Sequence, residues 1–332
     1  MTARTPSSDV PVVSILTLAY NHAPYIRACI ESVLMQQTSF RFEHIIHDDA
    51  STDATASIIR EYADRHPESI RFVCQTENQY RRGVAIGQRF LYPLVRGRYV
   101  AFCEGDDAWT DPLKLQKQVD YMEAHPACGL CYTQVERYVE ARHEVSCTWG
   151  GAAESLGEFL GGNTVPTATV LIRAELLWRY VDEIRPAERG WAMGDYPMWL
   201  YAAAESQVRF LPCVTGIYRI LSQSASHSMS LQRQLEFYRA AIDIRLFFVD
   251  RYAGRIAPRL AARQRLRYWK TMLRLAGLRG DDAAVAEARR ELRRLPWGTI
   301  GRLKLPGLLP LYAFPKCIMR FENRRAARKA AW

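Results

Sequence analysis

Four apolar runs in the first 110 residues, each followed by a polar turn and most by a helix-patterned stretch, leave this chain few ways to fold. "PVVSILTLAY" is almost continuously apolar, as a strand covered on both faces must be. After it, "PYIRACIESVLMQQ" sets Ile26, Ile30, Val33 and Leu34 at helical spacing. "FEHIIHDDAS" reads as the second strand and "TDATASIIREYADRHP" as the second helix, with Thr52 as N-cap and Pro67 beyond its end. "IRFVCQT" is a third strand, "GVAIGQRFLYPLVRG" a third helix and "RYVAFCEGDD" a fourth strand. Asp111 and Pro112 then take the N-cap and first-turn positions of a helix that ends near His125-Pro126. Repeated βα units dictate an α/β fold whose central sheet is mostly parallel and flanked by helices. In such sheets ligands bind beyond the carboxyl ends of the strands.

The pattern weakens between about 140 and 165, where "TWGGAAESLGEFLGGN" reads as loops over a site. Strand and helix resume in "TATVLIRAELL", "GWAMGDYPMWLYAAAE" and "QVRFLPCVTGIYRI". Residues 231–295 read as Arg-rich amphipathic helices, and a Pro-broken apolar and basic tail follows. The expected division is therefore 1–225 and a helical C-terminal extension, 226–332. At 332 residues and 48% apolar, the chain can bury a substantial core. No apolar run reaches the length of a membrane span, and no secretory signal is evident at the start, so the expected setting is cytoplasmic. Eight cysteines, including the lone Cys128-Gly-Leu-Cys131, fit reduced thiols packed as small hydrophobes.

Tyr20-Asn21, Asp48-Asp49 and Asp106-Asp107 each follow an apolar strand run at once, so they converge on one rim of the sheet. With Glu104, three carboxylates fall within four positions, and like charges so close repel. A solvated turn before a helix tolerates them. A hard cation, Mg²⁺ or Mn²⁺, with open positions for phosphate oxygens, explains them better once a second acidic pair shares the rim.

"VSILTLAYNHAPYIRACIESVLMQQ", "FEHIIHDDASTDAT" and "YVAFCEGDDAWTDPLKLQKQ" together resemble the successive signatures of the family-2 inverting glycosyltransferases. The resemblance covers roughly residues 10–220 and implies the A-type nucleotide-diphospho-sugar transferase fold. It implies that Thr17 and Tyr20 lie against the nucleotide base, that Asp49 binds the base edge with Asp48 beside it, that Asp106 contacts the ribose and that Asp107 holds a divalent metal. The family's base sits at a helix start that matches "MGDYPMWLY", which points to Asp195, beside Trp191, Met193 and Trp199. Partial burial there would raise its pKa and help it take a proton from an acceptor hydroxyl. The implied reaction moves a sugar from a nucleotide-diphosphate sugar, by default a UDP-sugar, to a glycan or lipid-linked acceptor in one inverting displacement. One departure stands out. Family members often show "YRxH" after the last core strand, whereas this chain has "YRILSQSASHSMS", with Leu221 at that position, His227 further on and Arg219 retained.

Charge raises a competing reading. Residues 1–230 carry 21 Lys/Arg against 27 Asp/Glu, and the remainder 24 against 8, which makes an acidic body with a strongly basic tail. Such a tail attracts the face of an anionic membrane, packs on the catalytic domain or on a second copy of the chain, or binds nucleic acid. The nucleic-acid reading leaves the acidic rim unexplained, and the tail carries no recognisable recognition motif or zinc spacing. A nucleotidyltransferase wants a Gly-rich phosphate loop after the first strand, which "AYNHAPY" is not, and a glycoside hydrolase wants a facing carboxylate pair and no nucleotide pocket.

Overall fold

A computed structural model describes residues 10–221 and 231–295. The expectations for His227 and for the tail beyond 295 lie outside the described residues. The chain divides into two compact units, Met1–Gly190 with Met198–Leu221, and Trp191–Pro197 with Ser222–Trp332.

The first unit is built on one sheet. Its parallel part comprises β1 (Val13–Ala19), β2 (Phe42–Asp48), β3 (Ile70–Cys74) and β4 (Tyr99–Phe102), ordered β3-β2-β1-β4. Beyond β4 the sheet continues through β8 (Leu171–Arg173), β6 (Cys128–Val139), β9 (Gln207–Ile220) and the two-residue β5 (Ala108–Trp109). Pairing along this second part is antiparallel except for β6 with β9. Helices α1 (Ile26–Leu34), α2 (Thr55–Arg65) and α3 (Lys114–Ala124) cross over between strands, as the βα alternation requires. Their apolar stripes meet the sheet: Ile26, Ile30 and Val33 of α1 are fully buried with Val13, Ile46 and Leu115. Each such side chain stabilises the fold by roughly 1.5–3 kcal/mol.

At the amino end of the parallel strands, Glu43 is buried and fully engaged. Arg96 grips Oε2 through Nε at 2.9 Å and Nη2 at 2.6 Å, while the Ser14 hydroxyl donates to Oε1 at 2.6 Å. A buried carboxylate is tolerable only with this degree of pairing. The knot requires glycine at position 97, because a Cβ there would lie 2.6 Å from Ser14 N and 2.8 Å from Val13 C.

Four local expectations are corrected. The third expected helix is only a π turn (Gly87–Leu91) followed by a 3₁₀ turn (Tyr92–Leu94), since Pro93 has no N–H for an α-helical ladder. Thr52 does not cap α2; Asp53 instead accepts from Thr55 N at 2.9 Å, and the Thr52 hydroxyl turns to Asn21 Oδ1. Asp111 and Pro112 precede α3 rather than opening it, with Asp111 Oδ1 accepting from Leu113 N at 2.9 Å. The stretch taken as loops contains β7 (Glu144–Trp149), which forms a hairpin with β6, and the short α4 (Leu156–Phe159), which has a Ser155–Glu158 capping box. Helix α5 (Ala174–Ile184) follows β8, and α6 (Tyr196–Glu205) precedes β9.

The second unit contains α7 (Leu231–Arg251), α8 (Pro258–Arg279) and α9 (Asp282–Arg294). Pro258 sits in the first turn of α8, and Gly280 ends it at φ 70°, a left-handed cap that favours glycine. Asp281 then caps α9 by accepting from Ala284 N at 2.9 Å. Leu266, Leu273 and Ala276 pack with Val285, Ala288 and Leu292 into a separate small core. No helix among the described residues is long and apolar enough to cross a membrane.

The Gly97 contact is testable. Gly97→Ala forces the backbones of the β1 start and the β4 approach apart, so chemical denaturation should show a loss of about 1–3 kcal/mol.

Candidate active site

Parallel register sets the rim. Ala19 at the end of β1 pairs with Asp48 at the end of β2, and Leu16 pairs with Phe102 at the end of β4. Hydrogen bonds extend the pairing past the strands: Asp49 N donates to Ala19 O at 3.0 Å, Cys103 N to Leu16 O at 3.1 Å and Gly105 N to Leu18 O at 3.0 Å. Tyr20, Asp48, Asp49, Asp106 and Asp107 are thus brought to one edge. Gly105 makes the close approach possible, because a Cβ there would meet His22 Nδ1 at 2.8 Å and Leu18 O at 3.1 Å.

Thr17 lies beneath this edge rather than on it. It is fully buried, and its hydroxyl donates to Cys103 O at 2.7 Å. His44 Nε2 stands 2.7 Å from Thr17 Oγ1. Since the hydroxyl proton is already used, His44 supplies the proton of that second bond, leaving Nδ1 bare and without a partner among the described residues. Complete burial lowers the His44 pKa to about 3, so the ring is neutral at physiological pH. The expected contact of Thr17 with a base is therefore replaced by a supporting role, tying β1 to β2 and to the start of the acidic turn.

The loops after β1 and β2 are latched together. Asn21 adopts φ 56° and accepts from Thr52 N at 2.8 Å, its own N donates to Ser51 Oγ at 2.9 Å, and His22 N donates to Thr55 Oγ1 at 2.8 Å. Asp48 Oδ2 accepts from Ser51 N at 3.0 Å, and Oδ1 is a buried acceptor with no partner among the described residues. Asp49 spends both oxygens on a third loop, accepting from Gln79 N at 2.7 Å and Tyr80 N at 3.0 Å. That loop carries the exposed Tyr80 and sets the Arg81 guanidinium 6.0 Å from the Tyr20 ring centroid. Neither Tyr80 nor this clasp was legible in the sequence, because the donors to Asp49 are main-chain groups.

Asp107 is 2% exposed. Burial, then the charges of Glu104 and Asp106, push its carboxyl well above the ordinary carboxylate range, against a hydrogen bond from Arg219 N at 2.9 Å. Arg219 also donates from its guanidinium to Asp106 O at 2.7 Å and lies 5.5 Å from the Tyr25 ring centroid. His22 Nδ1 stands 4.0 Å from Asp106 Oδ1. Behind the acidic turn, Trp109 donates from Nε1 to Ala168 O at 2.7 Å, and the fully buried Lys114 places its ammonium 4.1 Å from the Trp109 ring centroid.

Among the described residues, no group of three or more His, Cys, Asp or Glu side chains is arranged to hold a metal on its own. The oxygen donors at 106 and 107 nevertheless fit a hard cation that takes one or two carboxylates and completes its shell with phosphate and water. A cation would also relieve the repulsion that burdens Asp107.

The family model for "Glycosyl transferase family 2" matches residues 14–178, a span that contains the whole rim. The chain carries a family-2 glycosyltransferase domain. It is 33% identical over 227 residues to an uncharacterised Mycobacterium tuberculosis protein, covering 67% of this chain and 62% of that one. It is 28% identical over 221 residues to the Escherichia coli UDP-Glc:alpha-D-GlcNAc-diphosphoundecaprenol beta-1,3-glucosyltransferase WfaP, covering 65% of this chain and 80% of WfaP. Among solved structures, Staphylococcus aureus TarS 1–349 in complex with UDP matches at TM-score 0.53 and 16% identity, over 85% of this chain and 89% of that one. The Pyrobaculum calidifontis mannosyltransferase PcManGT, in complex with GDP-Man and Mn²⁺, matches at TM-score 0.54 and 19% identity, over 97% and 88%. At these identities the structures establish the A-type fold alone.

Asp195 belongs to the second unit. It is partly exposed just ahead of α6, and its Oδ1 accepts from Tyr196 N at 2.7 Å. Trp191 packs at 5.3 Å on Phe247, whereas Trp199 is buried against Phe102 in the first unit.

His44 predicts an acid sensitivity. The unfolded chain takes up a proton near pH 6.5 and the folded one only near 3, so stability falls as pH drops through that window, by about 1.4 kcal/mol per unit from this residue. His44→Gln keeps an N–H for Thr17 and should flatten the decline in melting temperature between pH 6.5 and 4.

Proposed function

We propose that this chain transfers a sugar from a nucleotide-diphosphate sugar, most simply a UDP-sugar, to a hydroxyl of a glycan or lipid-linked glycan, with inversion at the anomeric carbon. The observation that carries the reading is the buried Asp107 carboxyl beside Asp106 and Glu104, at the strand-end rim of a family-2 domain. Relatives support the substrate class: WfaP uses UDP-Glc and a diphosphoundecaprenol acceptor, and TuaG of Bacillus subtilis, 37% identical over 123 residues, is a putative teichuronic acid biosynthesis glycosyltransferase.

In this reading Tyr20 and the loop held by Asp49 frame the base, with Asp48 beside them, and Asp106 faces the ribose. Asp107 holds Mn²⁺ or Mg²⁺, which when bound neutralises charge on the departing diphosphate. Arg219 lends a second positive charge to the same end. Asp195 accepts the proton of the acceptor hydroxyl as its oxygen attacks, and no covalent enzyme intermediate forms. The chain then works at a membrane face when its acceptor is lipid-linked.

Two variants separate donor binding from chemistry. Asp107→Asn should abolish metal-dependent nucleotide binding measured by calorimetry. Asp195→Asn should keep that binding and lose sugar transfer by a factor of about 10²–10⁴, the usual contribution of a general base. Normal transfer by the Asp195 variant would remove it from the mechanism.

A further inference from the structure

The parallel pairing of β6 with β9 runs to the end of both strands, with Tyr138 opposite Arg219 and Val139 opposite Ile220. Glu140, the next residue, opens the turn of the β6–β7 hairpin and so arrives beside Arg219. Its Oε2 lies 3.9 Å from Arg219 Nε. That oxygen is buried and makes no hydrogen bond among the described residues.

The hairpin does not need this side chain. Arg142 and Glu144 pair across the turn at 2.8 Å, and His143 N donates to Glu140 O at 3.2 Å. An ion pair without a hydrogen bond also stabilises little. What distinguishes Glu140 is its partner. Among the described residues, Glu140 is the one carboxylate in ion-pair range of the Arg219 guanidinium, which makes a single hydrogen bond, to Asp106 O at 2.7 Å. The rest of that fork is open to an oxyanion. Tyr25 lies against the same group, its ring centroid 5.5 Å away. Burial and then the charge of Glu140 raise the Tyr25 phenol, with Arg219 opposing them.

We propose that Glu140 holds the charge of Arg219 in check, so that a nucleoside diphosphate binds only when a divalent cation shares the rim. This rests on the reading of Asp107 as the residue that holds the cation. Without a cation, the diphosphate meets the acids at 104, 106, 107 and 140 against one guanidinium that is already paired. An anion approaching a paired guanidinium feels the carboxylate as well, and most of the attraction cancels. Glu140 acts through Arg219, as a positioning residue.

The test is calorimetric titration of the full-length chain with UDP, in chelator and with Mn²⁺, for wild type, E140Q, R219Q and E140Q/R219Q. In chelator, E140Q should bind UDP about fivefold or more tightly than wild type, which narrows the ratio of affinities with and without Mn²⁺. A loosened fold would weaken binding, not strengthen it. In the R219Q background the gain from E140Q should vanish, because the effect passes through Arg219. Unchanged, weaker or undetectable binding by E140Q in chelator overturns the proposal. So does an equal gain in the R219Q background. If wild type binds UDP with Mn²⁺ and E140Q shows the same metal dependence, this role alone is overturned. If wild type binds none of UDP, dTDP, GDP or CDP with Mn²⁺ or Mg²⁺, the transferase reading is overturned and this role with it.

Discussion

Asp107 is a carboxyl held where its surroundings oppose its charge more than they favour it: water is excluded, and Glu104 and Asp106 add negative potential. The backbone nevertheless holds it there. Gly105 lets the turn press against β1, and Cys103 N and Gly105 N continue the ladder on Leu16 and Leu18. Arg219, reaching in from the end of β9, donates to Asp107 Oδ1 and Asp106 O. In the function proposed above, a cation and its anionic ligand complete this point.

The support under this turn is correspondingly rigid. One buried hydroxyl, that of Thr17, joins β1, the β4 exit and His44, while at the opposite strand ends Glu43 joins Ser14 to Arg96. The rim is thereby tied from below by buried hydroxyls, a ring nitrogen and an ion pair. Above this support Tyr80 is exposed, while Asp48 Oδ1 is buried with no partner among the described residues.

The parallel half of the sheet was legible in the sequence because strands covered on both faces must be apolar throughout, and this separates them from the helices between. Convergence of Asp48, Asp49, Asp106 and Asp107 follows from that alone, since strand ends align in a parallel sheet. The same two-sided burial hid the orientation of Thr17: in a run without alternation, nothing marks whether a side chain faces the cleft or the interior. Asp49 was legible as a rim residue, but its clasp on Gln79 and Tyr80 was not, because main-chain donors leave no trace in side-chain identity. Strand β7 was hidden for the opposite reason, being largely exposed and pairing only with β6. In the second unit, helical spacing showed the three helices, whereas the Tyr196–Arg245 contact joins residues 49 positions apart and needed the fold.

The most direct measurement is thermal stability of the wild-type chain with UDP, dTDP, GDP or CDP, each with Mn²⁺, Mg²⁺ or chelator. A ligand that binds only the folded state raises stability by RT ln(1 + [L]/Kd). The account predicts a clear rise for one nucleoside diphosphate, UDP in the first instance, that disappears when the metal is chelated. No shift with any nucleotide and metal would contradict it, and would leave the acids at 104, 106 and 107 as a turn with no ligand.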